Sequence, residues 1–467
     1  MKTIRILSLA LAVATLLGLS VGVCSASAAD STPTSASIVS NVYDVVGAAG
    51  KEIGDVPSSH GQNQTRIVAA ESGVYMALLT GDSVTDKESG APAYEMSLIR
   101  RTPDGKTELL YSEMIIGTST TATAMVDKDG NVWLYSGWAE MSGLFVMNVW
   151  NYDVATGTIE KYQSKQKAKG GGYSIAVIDP AYGSIYAIFC GDLYFSWCAF
   201  NIETKEWAKI QSVRTNQRYC YHFGYGDGKG GFFIVNERDV ANGDVFSNLE
   251  GVRVAEAMRT YRSRKIDAGY MWDEGNLFYI PNALEKDYTR IVITPVIYDV
   301  EKGVYPNWTN GHNDLFYDAV TGLVYVACAY DDNEVPGHLN HIYVLDANNN
   351  FEMVSHKVLP YLQGEDSSYF HRFYQDNEGN LWLMLTNGND AYLEIWQGTG
   401  ELKDDFRLAY NEKIADSFSY GDSILVAGSR GGSIPSDVAR GIMRYRDTWF
   451  YMDIDFAALR VKVGLDN

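Results

Sequence analysis

Two stretches, MVDKDGNVWLYSG from Met125 to Gly137 and FYQDNEGNLWLMLTNG from Phe373 to Gly388, share D-x-x-G-N-x-W between two apolar runs. A β-rich run, an Asp/Gly turn and a second β-rich run spell a hairpin. Looser copies of the same plan surround Gly73, Gly183, Gly230, Gly275, Gly322 and Gly421. Successive turn glycines lie 42 to 57 residues apart. In most units a second hairpin follows, as in VWNYDVATGTIEKY from Val149, CAFNIETKEW from Cys198 and GIMRYRDTWFYMDI from Gly441. Four antiparallel strands repeated every fifty residues or so is the period and content of a β-propeller blade.

The fold expected is therefore all-β, a β-propeller of eight four-stranded blades. Seven is the alternative if the unit around Gly230 is degenerate, because Leu249 to Arg264 after it reads as partly helical. The segment Ser37 to Val46 is expected to add an outer strand that closes the ring against the C-terminal blade and so removes a sheet edge.

Length agrees with one ring. Of the 467 residues, 1–28 read as a secretory signal: a cationic start, an apolar run from Ile6 to Val23, and the small-residue pattern Ala26-Ser27-Ala28. Cys24 raises a lipoprotein alternative, but Val23 before it is bulky for a lipid-attachment site. Residues 29–37 read as a flexible lead-in and 38–467 as a single propeller domain. Export implies a secreted, periplasmic or extracellular protein with no membrane association after signal removal. The 32 Tyr against 17 Phe predict many buried rings that keep a polar handle, and the 44 Gly predict many tight turns.

The whole chain carries a formal charge of −20, and −22 once Lys2 and Arg5 leave with the signal. Nucleic acid is excluded as a partner, since phosphate binding needs a basic surface. Four cysteines remain after the leader, and their placement argues for buried small hydrophobes rather than a disulfide framework. Cys198 is expected to face Ile185 across a hairpin turning at Gly191-Asp192. The run Asp127-Lys128-Asp129-Gly130-Asn131 imitates a calcium loop, yet the twelve-residue ligand pattern with its terminal Glu is missing, so a turn is the stronger reading.

In a propeller the residues just ahead of each innermost strand converge on one face. Here they include His60, Asn63 and Arg66, then Tyr219, Tyr221 and His222, then Arg264, then His312 and Asn313, and finally Tyr369, His371 and Arg372. His222 and His371 both lie eight residues before their turn glycine. Titratable groups gathered on a common face mark a candidate site, although inner-strand His and Tyr also serve as hydrogen-bonding struts across a narrow channel. His338, His341 and His356 fall elsewhere in their unit and read as structural or solvated.

With this His/Tyr face and the stretch SSHGQNQTRIV from Ser58, the chain resembles secreted propellers with sialidase-type (BNR-like) repeats. That group includes ulvan lyases and rhamnosyl-glucuronate lyases and hydrolases. The D-x-x-G-N-x-W turns also resemble those of the propellers of bacterial two-component sensors. The first resemblance implies a carbohydrate-active protein: a polysaccharide lyase that cleaves a uronate-bearing glycan by β-elimination with a His/Tyr pair. His222 or His371 is then the base and Tyr219 or Tyr369 the acid, with His60, Asn63, Arg66, Arg264, His312 and Arg372 binding substrate. A glycoside hydrolase and a non-catalytic glycan- or protein-binding propeller stand as alternatives. The partner expected is a polysaccharide or oligosaccharide, anionic in the lyase case, bound by a monomer. No cofactor is expected; a metal ion, such as zinc held by His60, His222, His312 and His371, is left open, although no short-range His pair of ligand spacing supports it.

Overall fold

The D-x-x-G-N-x-W turns set the architecture. Asp127 Oδ1 accepts the amides of Asp129 and Asn131, both at 2.9 Å, while Oδ2 accepts the Trp133 indole N–H at 2.8 Å. Asp376 does the same for Glu378, Asn380 and Trp382. Gly130 and Gly379 close these turns with φ of 81° and 78°, the left-handed region that glycine enters without strain. The motif is thus a turn cap tied to a buried Trp; its carboxylates are spent on the protein's own donors.

The computed structural model describes residues 38–54, 65–116, 122–140, 142–168, 174–191, 194–214, 219–238, 275–294, 314–332, 335–360, 362, 369–387, 392–414, 424–427, 430–445 and 448–465. These form seven antiparallel sheets whose innermost strands follow each other in chain order. The innermost strands of blades 1 to 7 are Ile67–Ala70, Thr123–Val126, Ser174–Asp179, Tyr219–Gly226, Asp314–Asp318, Tyr369–Gln375 and Ile424–Ala427. Each lies beside the next, and the strand of blade 1 touches both that of blade 2 and that of blade 7, so the ring is closed.

Closure follows the expected route. Val39–Asp44 is the outermost strand of blade 7, pairing with Thr448–Asp455 through Val39 with Ile454 and Asp44 with Phe450. A single turn of helix, α1 (Val45–Ala48), then buries Val45 and Val46 completely. At the other terminus α2 (Phe456–Val463) is capped by Asp455 and lays Phe456 against Tyr374 and Trp382.

The blade count is seven, the alternative to eight, and one hairpin explains the difference. The hairpin around Gly230 gives the inner two strands of blade 4, and the strand Gly275–Ile280 is its third, paired with Phe232–Arg238. Gly275 therefore belongs to an outer hairpin and does not open a new blade. The unit around Gly421 does correspond to a blade, but Gly421 precedes the innermost strand of blade 7, whose first hairpin turns between Ala427 and Val438. In blade 3 the fourth strand is split into Glu206–Trp207 and Gln211–Arg214, both on Tyr194–Asn201.

Aromatic rings fill the seams. Trp133 meets Phe200 across blades 2 and 3, Phe195 meets Phe278 across 3 and 4, Phe233 meets Tyr317 across 4 and 5, and Tyr325 meets Phe373 across 5 and 6. Tyr hydroxyls also bridge seams: Tyr325 donates to Leu402 O across 5 and 6, Tyr374 to Ser436 O across 6 and 7, and Tyr135 pairs with Ser174 across 2 and 3. A ring with a polar tip suits a position where sheet packing ends at an orphan carbonyl or hydroxyl, which accounts for part of the Tyr excess. Cys198 and Cys328 are buried. Cys198 pairs with Ala187, two positions from the expected Ile185, and burial pushes its thiol up to about 12.

Candidate functional site

Innermost strands run from the entry face of the ring toward the Asp/Gly turns. His222 and His371 each lie five residues ahead of a turn aspartate, Asp227 and Asp376, and so at one level of the channel wall. Arg66 is five ahead of Glu71, which opens the first turn of blade 1. Tyr219 and Tyr369 begin their strands, opposite Arg238 and Asn387. The pairing of blade 4 shifts between Cys220 and His222, a bulge that places Tyr221 as the extra residue.

His60, Asn63, Arg264 and His312 lie outside the described residues. For Tyr219, His222 and Tyr369 the backbone is placed and the side chains lie outside the description.

His371 and Arg372 diverge, as successive residues of a strand must. His371 is fully buried, with Nε2 2.9 Å from Asn340 Oδ1 on the third strand of blade 5. Arg372, also buried, donates from Nη1 to the His371 carbonyl at 2.5 Å. Its guanidinium carbon is 5.2 Å from the ring centroid of Phe223. The side chain therefore reaches the innermost strand of blade 4, the strand that carries His222. Beside it, Asp314 Oδ2 accepts the Phe373 amide at 2.8 Å. Arg66 is buried too, 5.9 Å from the Trp449 ring of blade 7.

Two histidines read from the sequence as structural or solvated, His341 and His356, lie beside this group, with Asn340 and Tyr343, which the sequence did not single out. Asn340 holds His371, and the adjacent His341, buried, has Nδ1 2.9 Å from His356 Nε2. Tyr343 stacks on His356 at 4.4 Å between centroids. Burial first, then His356 and His371, push the His341 imidazole down to about 3, so it is neutral in the fold. Only the fifteen-residue spacing of two histidines across one hairpin hinted at the pair.

At the turn end the channel opens into a cavity of about 320 Å³ walled by Tyr225, Phe316 and Tyr317, with Asp179, Asp227 and Asp318 at its rim. Burial and the neighbouring Asp227 raise the Asp179 carboxyl. These carboxylates accept turn amides, Asp179 from Tyr182 and Gly228, Asp227 from Lys229 and Gly231, Asp318 from Val320, so they shape the mouth of the channel.

No family model matches the chain, and no curated protein matches it. Solved structures do. A polysaccharide lyase, Uly1, superimposes with a TM-score of 0.50 at 12% identity, covering 85% of this chain and 90% of its own. The Dos1 propeller gives 0.43 at 8% identity, covering 86% and 95%. The GH93 α-L-arabinofuranosidase of Fusarium graminearum gives 0.38 at 9% identity, covering 87% and 97%. The likeness to Uly1, at 12% identity, shows the fold alone, a β-propeller as the seven sheets already describe.

Proposed function

We propose that the chain is a secreted polysaccharide lyase that cleaves a uronate-bearing glycan by β-elimination at the entry end of the channel. The observation that carries this reading is the buried guanidinium of Arg372, which reaches the strand that carries His222, 5.2 Å from the ring of Phe223. A uronate carboxylate needs a cation when the proton beside it is removed, because the negative charge that develops spreads onto that carboxylate. His222, on the bulged segment, is the base, and Tyr219, at the head of the same strand, is the acid.

The base takes the proton from the carbon bearing the carboxylate. That electron pair becomes a carbon–carbon double bond as the glycosidic C–O bond breaks, and the Tyr219 proton passes to the departing oxygen. Arg66 adds a second cation at the same level of the wall. The fold likeness to Uly1 agrees with this reading, and the residues above carry it.

Incubation of the full chain with uronate polysaccharides tests it. A lyase produces ultraviolet absorbance from the new conjugated double bond, and His222→Gln abolishes it. Reducing ends without absorbance, or binding with neither, overturn the lyase reading in favour of a hydrolase or a glycan-binding propeller.

A further inference from the structure

We infer that the seam where blade 7 closes onto blade 1 holds a binding site for a compact oxyanion, the carboxylate or sulfate group of a small acid or an acidic sugar. This inference is independent of the channel chemistry. The site is a cavity of about 280 Å³ on the turn face, lined among others by Arg101, Arg440, Tyr451, Ser436 and Ile434.

Two guanidinium groups gather around one phenol. Arg101 lies 4.8 Å from the Tyr451 ring centroid and 5.5 Å from that of Tyr43. Arg440 Nη1 and the Tyr451 hydroxyl both reach Asp453 Oδ1, each at 2.6 Å. Asn41 from the closing strand fills Asp453 Oδ2 at 2.7 Å. Asp453 thus balances one of the two cations and has its own acceptors occupied. Asp453 lies behind the lining, whose own carboxylate is the exposed Glu71. Arg101 spends Nη1 on the Gly105 carbonyl at 2.8 Å and touches the Tyr43 hydroxyl at 3.5 Å.

A guanidinium carries five N–H donors in a planar fork matched to an oxyanion. Among the described residues Arg440 turns its guanidinium to Asp453 and Tyr451, and stacking of Arg101 against Tyr451 holds the second fork without consuming its remaining donors. A half-buried pair of cations with one internal counterion, in a chain of net charge −20, is where an external anion completes the balance. Because the lining comes from both blade 7 and blade 1, the ligand ties the two ends of the ring together.

Calorimetric titration of the full chain with sulfate, acetate and glucuronate, each against sodium chloride at equal ionic strength, separates the sources. At ten times Kd a bound anion raises the unfolding midpoint by about 1–2 °C for a chain of this size. Arg101→Gln weakens binding at least tenfold. Ile434→Asp, which adds a carboxylate at an exposed lining position without touching the ion pair, does the same. Sulfate and acetate both binding supports a generic oxyanion pocket, and glucuronate alone supports an acidic-sugar site. Equal midpoint shifts in wild type, Arg101→Gln and Ile434→Asp, or no anion heat beyond chloride, overturn the inference.

Discussion

Asp376 and Trp382 are joined by a buried hydrogen bond in which the indole N–H donates to Oδ2 at 3.0 Å. The same oxygen accepts Arg460 Nη1 from α2 at 3.2 Å. The corresponding Asp127–Trp133 pair has the turn amides and the indole. Asp376→Ala leaves a turn, an indole and a buried arginine short of a partner, whereas Asp127→Ala leaves a turn and an indole. Asp376→Ala is therefore expected to cost about 3–4 kcal/mol and Asp127→Ala about 2 kcal/mol. Denaturant unfolding of the two variants checks the order. Equal losses mean that Arg460 draws its stability from Asp437, 2.7 Å away, instead.

Ring closure depends on an edge strand and a helical turn brought back from the N-terminus. Val46 is fully buried between them and the blade 1 core. Val46→Asp puts a charge there and is expected to cost more than about 3 kcal/mol. Beginning the chain at residue 47 bares the edge of Thr448–Asp455, so the truncated protein should self-associate in sizing experiments and be cut by protease first in blade 7. A monomeric, protease-resistant truncation contradicts this.

How far the fold was legible follows from these same elements. The hairpin, its Asp/Gly turn and the closing strand are local patterns of alternation and turn chemistry, so they can be read along the chain. The hairpin signal does not say whether it is the inner or outer half of a blade. Gly275 therefore looked like a new unit, and only its pairing with Phe232–Arg238 shows otherwise. At the site, the level of His222 and His371 on the wall was readable from spacing. The burial of His371 against Asn340 arises from packing between blades 5 and 6, which sequence separation hides.

His341 gives the fold a defined acid sensitivity. Its imidazole titrates near 6.5 when unfolded and is pushed down to about 3 in the fold. Between those values the unfolded chain binds a proton that the native one refuses. Its contribution to stability is complete above pH 6.5 and is lost as pH falls toward 3. His341→Leu removes the titration, so wild type should lose about 1–2 kcal/mol more than the variant between pH 6.5 and 5. Parallel stability curves in urea at several pH values would show that His341 is protonated in the fold.

Arg372, His371 and Asn340 take separable roles in the proposed lyase reaction. Arg372 meets a charge that grows in the transition state, so Arg372→Gln should lower kcat by a factor of about 10²–10³ with little change in KM. His371 offers that arginine its backbone carbonyl, and its ring is locked on Asn340. It acts as a positioning residue, for which His371→Gln and Asn340→Leu should each cost about tenfold or less in kcat/KM. Both should also lower thermal stability, since each breaks the same buried bond, and their double variant should cost no more than the worse single one. If His371→Gln instead removes all activity while the midpoint is unchanged, His371 rather than His222 takes the proton, and Arg372 serves the base on its own strand.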